Sequence, residues 1–240
     1  IKRFNVGDDA RLYEKIDYNL FTGLITPHRI REIIPIDETI KNPSSSELKI
    51  VKKSEKVKMI LPNPKILSIE NIYIEKIRGI PKGQNNAEEF HRVVSYALGR
   101  IFRGSLRNMD IKVNVDGGIK IIDTVFTNTA TDGFFHNLKS KIECTYPMIE
   151  VKNISGDPSN PELDQLNGRF SNNRGHFGIL VCRNINDKNA VLSRCKTYLP
   201  NNCILVLTDE EIFELLEYVR EKNQNEINDF MDKKLRELLF

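Results

Sequence analysis

Glu150 and Lys152 are the residues of this chain with the clearest chemical potential, because an acid and a base stand two positions apart in an apolar run. The run extends from Tyr146 to Asn153 and predicts a β-strand. Side chains alternate faces along a strand, so Glu150 and Lys152 point the same way, about 6–7 Å apart along the backbone. A carboxylate and an ammonium are costly to bury on such an element without a use. The alternative interpretation is an ion pair at a strand edge with no chemical role.

A second acid, Asp123, interrupts a strand-like segment further upstream. The glycine pair at 117–118 predicts a hairpin turn between strands at 111–115 and 119–126. Asp disfavours strands, so its position is a bulge, an exposed site or the first ligand of a divalent cation. In the last case Glu150 supplies the second ligand, because Mg²⁺ binds one or two protein carboxylates and keeps several waters. These pieces outline a metal-dependent phosphodiesterase.

The ordered set Asp123, Glu150 and Lys152 resembles the signature of the PD-(D/E)xK nuclease superfamily, which includes many restriction endonucleases, repair nucleases and resolvases. The proline of that signature is absent, since Ile122 precedes Asp123, but this position is loosely kept in the superfamily. A closer resemblance to bacterial restriction-endonuclease-like proteins covers about residues 86–209. Five segments carry it: Glu89–His91, Ile122–Phe126, Gly133–Phe135, Pro161–Phe170 and Asn173–Arg183.

This resemblance implies an α/β fold, the restriction-endonuclease-like αβα sandwich with a central mixed sheet. It implies a Mg²⁺-dependent DNA endonuclease, in which Mn²⁺ substitutes for Mg²⁺, acting in restriction or antiphage defence. Asp123, Glu150 and the carbonyl of Val151 would then hold the metal. Lys152 would orient or deprotonate the attacking water, or stabilise developing charge.

The resemblance also favours Glu89 and Gln165 as site residues. In the resembled group an acid at the start of the first helix and a glutamine in a later helix approach the metal site. The alternative for Glu88 and Glu89 is a favourable interaction with the helix dipole, and for Gln165 a surface position. Three further residues are candidates for contacts with the DNA backbone: Arg169, Asn173 and Arg174.

Helices and strands must alternate along the chain to position these residues. Apolar spacing and capping signals predict helices at 86–102, 161–170 (with Asn160 as N-cap), 187–199 and from Thr208 onward. Continuous apolar runs predict strands buried on both faces at 176–182 and 203–207. With the hairpin and the Glu-x-Lys strand, they form a mixed sheet between helical layers.

The first 85 residues are a predicted N-terminal appendage of unknown role, and 86–240 form the nuclease-like domain with a C-terminal helix. Residues 1–86 contain 16 Lys/Arg and 11 Asp/Glu, a net +5, whereas the remaining residues contain 20 and 22, a net −2. The domain therefore lacks a broad positive footprint for DNA, and the basic segment 49–65 is either a DNA contact or a solvated linker. Alternation at 65–80 predicts a further strand.

Cysteine usage and hydropathy disfavour several other classes of protein. The four cysteines form no CxxC pair, which predicts buried free thiols rather than zinc ligands or disulfides. No segment approaches the ~20 apolar residues of a membrane span and no signal peptide is visible, so we expect a cytoplasmic protein. We expect DNA as partner, a homodimer because two strands need two sites, and gating by an ATPase or sensor domain or subunit.

Two other functions stay open at this point. A junction resolvase, a repair nuclease or an RNase would share the fold and the site, and a structure-specific enzyme would prefer branched DNA. A non-catalytic nucleic-acid-binding module would keep the fold alone. The presence of Asp123, Glu150 and Lys152 together argues against that module.

Overall fold

A computed structural model describes residues 68–154 and 156–240, and within them seven α-helices alternate with five β-strands. The helices are α1 Ile69–Gly79, α2 Ala87–Ile101, α3 Gly133–Ile142, α4 Asn160–Asn167, α5 Lys188–Lys196, α6 Asp209–Arg220 and α7 Gln224–Leu239. The strands are β1 Leu106–Val115, β2 Lys120–Asn128, β3 Met148–Lys152, β4 Phe177–Cys182 and β5 Cys203–Thr208. None of these helices is long and apolar enough to cross a membrane.

The five strands form one mixed sheet in the order β1-β2-β3-β4-β5. The first three are antiparallel neighbours, whereas β3, β4 and β5 run parallel. Parallel neighbours need crossover connections, which α4 and α5 supply. The short β3, β4 and β5 are buried along almost their whole length, as expected of strands covered on both faces.

Helices cover both faces of this sheet. Thr124 of β2 and Ile149 of β3 are paired and share one face, where Ser95 of α2 contacts the Thr124 hydroxyl at 2.7 Å. Gly178 of β4 belongs to the opposite face, and a Cβ built there would lie 3.0 Å from the Leu166 methyl groups of α4. The sequence thus needs a glycine where α4 packs closest. The predicted α/β sandwich with a central mixed sheet is confirmed.

An aromatic cluster joins α3 to the end of α2 and to the start of β4. Its rings meet edge to face with centroids 5.0–6.1 Å apart, and all of them are buried: Phe102, Phe134, Phe135 and Phe177. Such geometry adds to the free energy of apolar burial. The cluster explains why residues 133–142, which the sequence analysis did not assign to a helix, are helical.

The strand predicted at 65–80 is wrong, because the described part of this segment is the helix α1. Its buried Ile69, Tyr73 and Ile77 recur every four residues, and Ser68 caps the helix by accepting from the Asn71 N–H at 3.1 Å. α1 packs against α2 and α6. Most of the predicted appendage, residues 1–67, lies outside the described residues, so its boundary at residue 85 stays a prediction.

Other element boundaries differ slightly from the sequence predictions. α4 begins one residue earlier than predicted, with Ser159 as N-cap, and ends at Asn167 rather than 170. The capping box at Thr208 is confirmed, and a further helix, α7, follows α6. The cysteines are also as predicted: Cys144, Cys182, Cys195 and Cys203 are buried free thiols.

Candidate active site

Three adjacent strands, β1, β2 and β3, bring four charged side chains together on one face of the sheet. Three of them form a row across the strands, and the fourth lies beside it. The register of β1 against β2 places Lys112 opposite Asp123, and continuing the register of β2 against β3 places Asp123 opposite Glu150. Lys152 lies two residues further along β3 and therefore shares the face of Glu150. These side chains occupy the face of the sheet that α4 covers.

Glu150 is the most deeply buried of the four, with 1% of its surface exposed. Lys152 Nζ lies 2.7 Å from Glu150 Oε1, but the angle departs from that of a hydrogen bond, and neither carboxylate oxygen has an aligned donor within the described residues. Burial and the neighbouring charge of Asp123 raise the pKa of Glu150. Oε2 is therefore available to bind a cation or a proton, whereas Oε1 already has the ammonium group of Lys152 beside it.

Asp123 is also buried, but both of its oxygens are engaged. Oδ1 accepts from Lys112 Nζ at 2.7 Å, and Oδ2 accepts from the Val151 backbone N–H at 3.1 Å. Burial opposes ionisation, yet these two hydrogen bonds hold the pKa of Asp123 below its ordinary value. The site thus keeps one carboxylate charged and biases its neighbour, Glu150, towards the protonated form.

Gln165 holds the ammonium group of Lys152. Its Oε1 accepts from Lys152 Nζ at 2.8 Å. A capping box formed by Ser159 and Glu162 begins α4, and Leu166 of the same helix packs on the sheet. The sequence prediction that Gln165 faces the Glu-x-Lys strand agrees with this geometry.

The structure does not bring Glu89 into the row of charged residues. Glu89 is exposed, and in the described part of the chain no hydrogen bond or ion pair links it to the site. Its neighbour Glu88 is the first-turn acid that approaches, with Oε2 at 3.8 Å from Lys112 Nζ. The catalytic role inferred for Glu89 stays a prediction.

His91 supports Asp123 from the opposite face of the sheet. Its Nε2 lies 3.0 Å from the Asp123 backbone oxygen and 3.0 Å from Thr124 Oγ1, and Ser95 completes the network one helical turn later. Burial lowers the pKa of His91, which keeps the imidazole neutral. The sequence analysis did not assign His91 or Ser95 to the site, although their spacing of four on a helix places both on one face.

Lys112 is the other residue that the sequence analysis missed. In a two-stranded hairpin, residues equally distant from the turn face each other. Positions 112 and 123 are equally distant from the centre of the glycine turn at 117–118, so the sequence contained the signal for this pair.

Two of the predicted DNA-contacting residues secure the β1–β2 hairpin instead of projecting freely. Arg169 Nε donates to the Ile121 backbone oxygen at 2.9 Å, and Arg174 donates to Asp116 Oδ1 at 3.1 Å. Asn173 is exposed. The loop after α4 and the hairpin are therefore joined beside the row of charged residues.

The donor set of this site fits a hard divalent cation. Asp123 and Glu150 are adjacent buried carboxylates, and the oxygens of Glu150 have no aligned hydrogen-bond donor within the described residues. Groups of three or more His, Cys, Asp and Glu residues suited to a metal are absent from 68–154 and 156–240. Two carboxylates suffice for Mg²⁺, which keeps several waters, whereas structural zinc sites take four protein ligands.

Comparison with known proteins yields one distant structural likeness. No protein-family model and no curated protein matches the chain. A solved structure, the DNA modification-dependent restriction endonuclease AspBHI, is similar with a TM-score of 0.38 and 16% sequence identity. The likeness covers 73% of this chain and 41% of that chain, so this chain spans about two-fifths of that protein.

Proposed function

We propose that this chain is a Mg²⁺-dependent endonuclease that hydrolyses phosphodiester bonds in DNA. The observation that carries the proposal is the meeting of Asp123, Glu150 and Lys152 on one sheet face, with Gln165 bonded to Lys152. The order of these residues along the chain is that of the PD-(D/E)xK signature they resemble. The sequence resemblance of residues 86–209 to bacterial restriction-endonuclease-like proteins supports a role in restriction or antiphage defence.

Each residue of the site has a distinct task in this proposal. Asp123 and Glu150, with the carbonyl of Val151, would hold the cation. The cation would lower the pKa of a bound water and neutralise charge on the phosphoryl group. Lys152 would orient the attacking water, and Gln165 fixes the position of its ammonium group.

The buried position of Glu150 favours this chemistry. A carboxylate excluded from water and raised in pKa is unstable in its charged form without a counter-charge. A divalent cation supplies that counter-charge, and electrostatic interactions are stronger in a site of low dielectric constant. The structural support from His91 keeps Asp123 in register with Glu150 without contributing charge.

The test compares nucleic-acid cleavage by the 240-residue chain and by the isosteric variant Glu150→Gln. Supercoiled plasmid, linear duplex, branched DNA and RNA are each incubated with Mg²⁺, Mn²⁺ or EDTA. We expect cleavage that needs the metal and falls by about 10³-fold or more in the variant. The control is Glu75→Gln, which removes an exposed acid of α1 that pairs with Arg78, and it should cleave like the wild type.

The substrates separate the alternative functions. Preference for branched DNA identifies a resolvase or repair nuclease, and cleavage of RNA alone identifies an RNase. Undiminished cleavage by Glu150→Gln contradicts the proposed site. Binding of DNA with no cleavage in either metal identifies a non-catalytic module. Cleavage that appears only with an added ATPase or sensor partner identifies a gated enzyme.

A further inference from the structure

Lys112 is a cation of the site that the proposed chemistry does not use. Its Nζ lies 2.7 Å from Asp123 Oδ1, while the Val151 N–H engages Oδ2. Because the backbone holds Oδ2, Oδ1 is the oxygen that Asp123 can offer to a divalent cation. An ammonium group at hydrogen-bond distance and a metal ion cannot share that oxygen, because like charges in one partly buried place repel strongly.

The backbone of Lys112 adopts a conformation that is unusual in a β-strand. Its φ is +56°, in the left-handed region that residues with a Cβ disfavour, although it lies in the middle of β1. Strain of this kind persists where the surrounding structure imposes it, and it is concentrated at functional sites. Among the described strands β1 lies at the edge of the sheet, where β2 is its partner on one side.

The two lysines of the site are held with different firmness. Lys152 has 22% of its side chain exposed and bonds to Gln165 as well as approaching Glu150. The side chain of Lys112 is 42% exposed, and its second neighbour is the exposed carboxylate of Glu88 at 3.8 Å. A short movement of the side chain would therefore be enough to carry the ammonium of Lys112 from Asp123 to Glu88.

We infer that Lys112 is a displaceable counter-ion of Asp123 that competes with the divalent cation and is received by Glu88 when the cation binds. The inference rests on the proposed metal site. It makes Lys112 a positioning residue that sets the affinity for metal, while catalysis stays with Glu150 and Lys152. Removing the competing charge must then strengthen metal binding, the opposite of what removing a ligand does.

The test measures Mn²⁺ binding without nucleic acid, by loss of the paramagnetic resonance signal of the free ion. Lys112→Met keeps the length of the side chain and removes its charge, and we expect it to bind Mn²⁺ about fivefold more tightly than the wild type. Lys112→Arg keeps the charge and should stay within about twofold of the wild type. The matched control is Lys120→Met, which removes another lysine of the same hairpin. Lys120 contacts Asp116 and the Gly168 backbone oxygen.

A second measurement guards against a folding defect in the variant. Thermal unfolding in EDTA and in Mn²⁺ should show a larger metal-induced rise in melting temperature for Lys112→Met than for the wild type. Equal or weaker Mn²⁺ binding by Lys112→Met, together with an unchanged or smaller rise, overturns the inference.

The variant Asp123→Asn distinguishes this failure from failure of the proposed function. If it binds Mn²⁺ as the wild type does, Asp123 is not a ligand and the metal site itself is wrong. If it loses Mn²⁺ while Lys112→Met binds like the wild type, the metal site stands and the counter-ion inference alone fails.

The role of Glu88 as acceptor has its own check. Glu88→Gln should weaken Mn²⁺ binding in the wild type, because Lys112 then has no second acid. The same change should have no effect when combined with Lys112→Met, since the lysine it serves is gone. An equal loss of affinity in both backgrounds overturns the acceptor role.

Discussion

Among the regions of the described chain where opposite charges meet in buried positions, two are built in contrasting ways. At the junction of β4 and α6, Arg183 Nε lies 2.9 Å from Asp209 Oδ2, and both residues are 8% exposed. The guanidinium group stacks on the ring of Phe90, 4.6 Å from its centroid. In the candidate active site, by contrast, two carboxylates stand side by side, and a lysine approaches each of them: Lys112 at Asp123 and Lys152 at Glu150.

The comparison teaches which kind of buried charge marks a functional site. One acid faces one base at Arg183 and Asp209, and an aromatic ring fixes the geometry. Burial raises the pKa of Asp209 to about 7, and the neighbouring charge of Arg183 opposes that rise. Asp123 and Glu150 are neighbouring acids, so the charge of Asp123 disfavours ionisation of Glu150, and added positive charge would relieve this repulsion. Burial alone does not distinguish the two regions; the sign of the neighbouring charge does.

The largest expected effect on stability is at the self-contained pair. Arg183→Met leaves Asp209 buried without its partner and should lower the free energy of unfolding by about 3–5 kcal/mol. Chemical denaturation monitored by circular dichroism measures this loss. The double variant Arg183→Met/Asp209→Asn should recover most of it. A single variant no less stable than the double variant contradicts the assignment of the pair as structural.

The corresponding change in the active site should not lower the free energy of unfolding. In EDTA, Glu150→Gln should be at least as stable as the wild type, because it removes one of two adjacent like charges. Folding raises the pKa of Glu150 above its ordinary 4.5, so its protonated form is favoured in the folded state. The wild type therefore loses stability as pH rises from 4.5 through the raised pKa, and the variant does not.

Urea denaturation at a series of pH values checks this prediction. The stability advantage of Glu150→Gln over the wild type should increase with pH. An advantage that increases as pH falls would show that Glu150 is stabilised in its charged form.

A smaller effect is expected at Gln165, which supports the site without carrying charge. Gln165→Leu removes the acceptor that holds Lys152 and should lower the cleavage rate about tenfold at saturating DNA. Single-turnover assays at several DNA concentrations measure it. We expect the change in rate rather than in the apparent affinity for DNA. The control, Asn173→Leu, alters a nearby exposed residue. It should leave the cleavage rate at saturating DNA unchanged, and any effect should be on the apparent affinity for DNA.

The smallest effect on stability is expected at the N-cap of α6, the helix that begins at Asp209. Thr208 Oγ1 accepts from the Glu211 N–H at 3.4 Å, and the Glu211 carboxylate accepts from the Thr208 N–H at 2.8 Å. Thr208→Ala removes half of this capping box and should cost about 1 kcal/mol of unfolding free energy. Thr208→Ser keeps the hydroxyl and should cost less. Equal losses in the two variants would contradict a capping role.

The sequence was sufficient for much of the fold because its strongest signals are local and periodic. The helix at 86–102 follows from apolar spacing, and the buried strands at 176–182 and 203–207 from uninterrupted apolar runs. The error at 65–80 has a physical origin. Ile69, Tyr73 and Ile77 recur every four residues, and a spacing of four satisfies both an alternating strand and a helix. The packing of α1 against α2 and α6 decides between them.

The sequence analysis found the site residues that stand out by their type and by their order along the chain. It missed the residues whose role depends only on where the fold places them. The pattern of Asp123, Glu150 and Lys152 is informative because it combines acids and a base in an apolar setting. Lys112 and His91 are ordinary in sequence and gain meaning through strand register and helix face. Such contacts depend on tertiary structure, which single-residue patterns do not encode.

The contact between the Asp123 carboxylate and the Val151 backbone N–H has an evolutionary consequence. One oxygen of Asp123 is bonded to the backbone of the sheet, and the other accepts from Lys112. Replacing Asp123 by an apolar residue would leave a buried N–H without a partner, in addition to any loss of activity. Asparagine, which keeps an acceptor oxygen, is the replacement that spares this bond. A relative that lost the proposed activity would therefore be expected to carry asparagine at position 123, where it would keep the fold without the carboxylate.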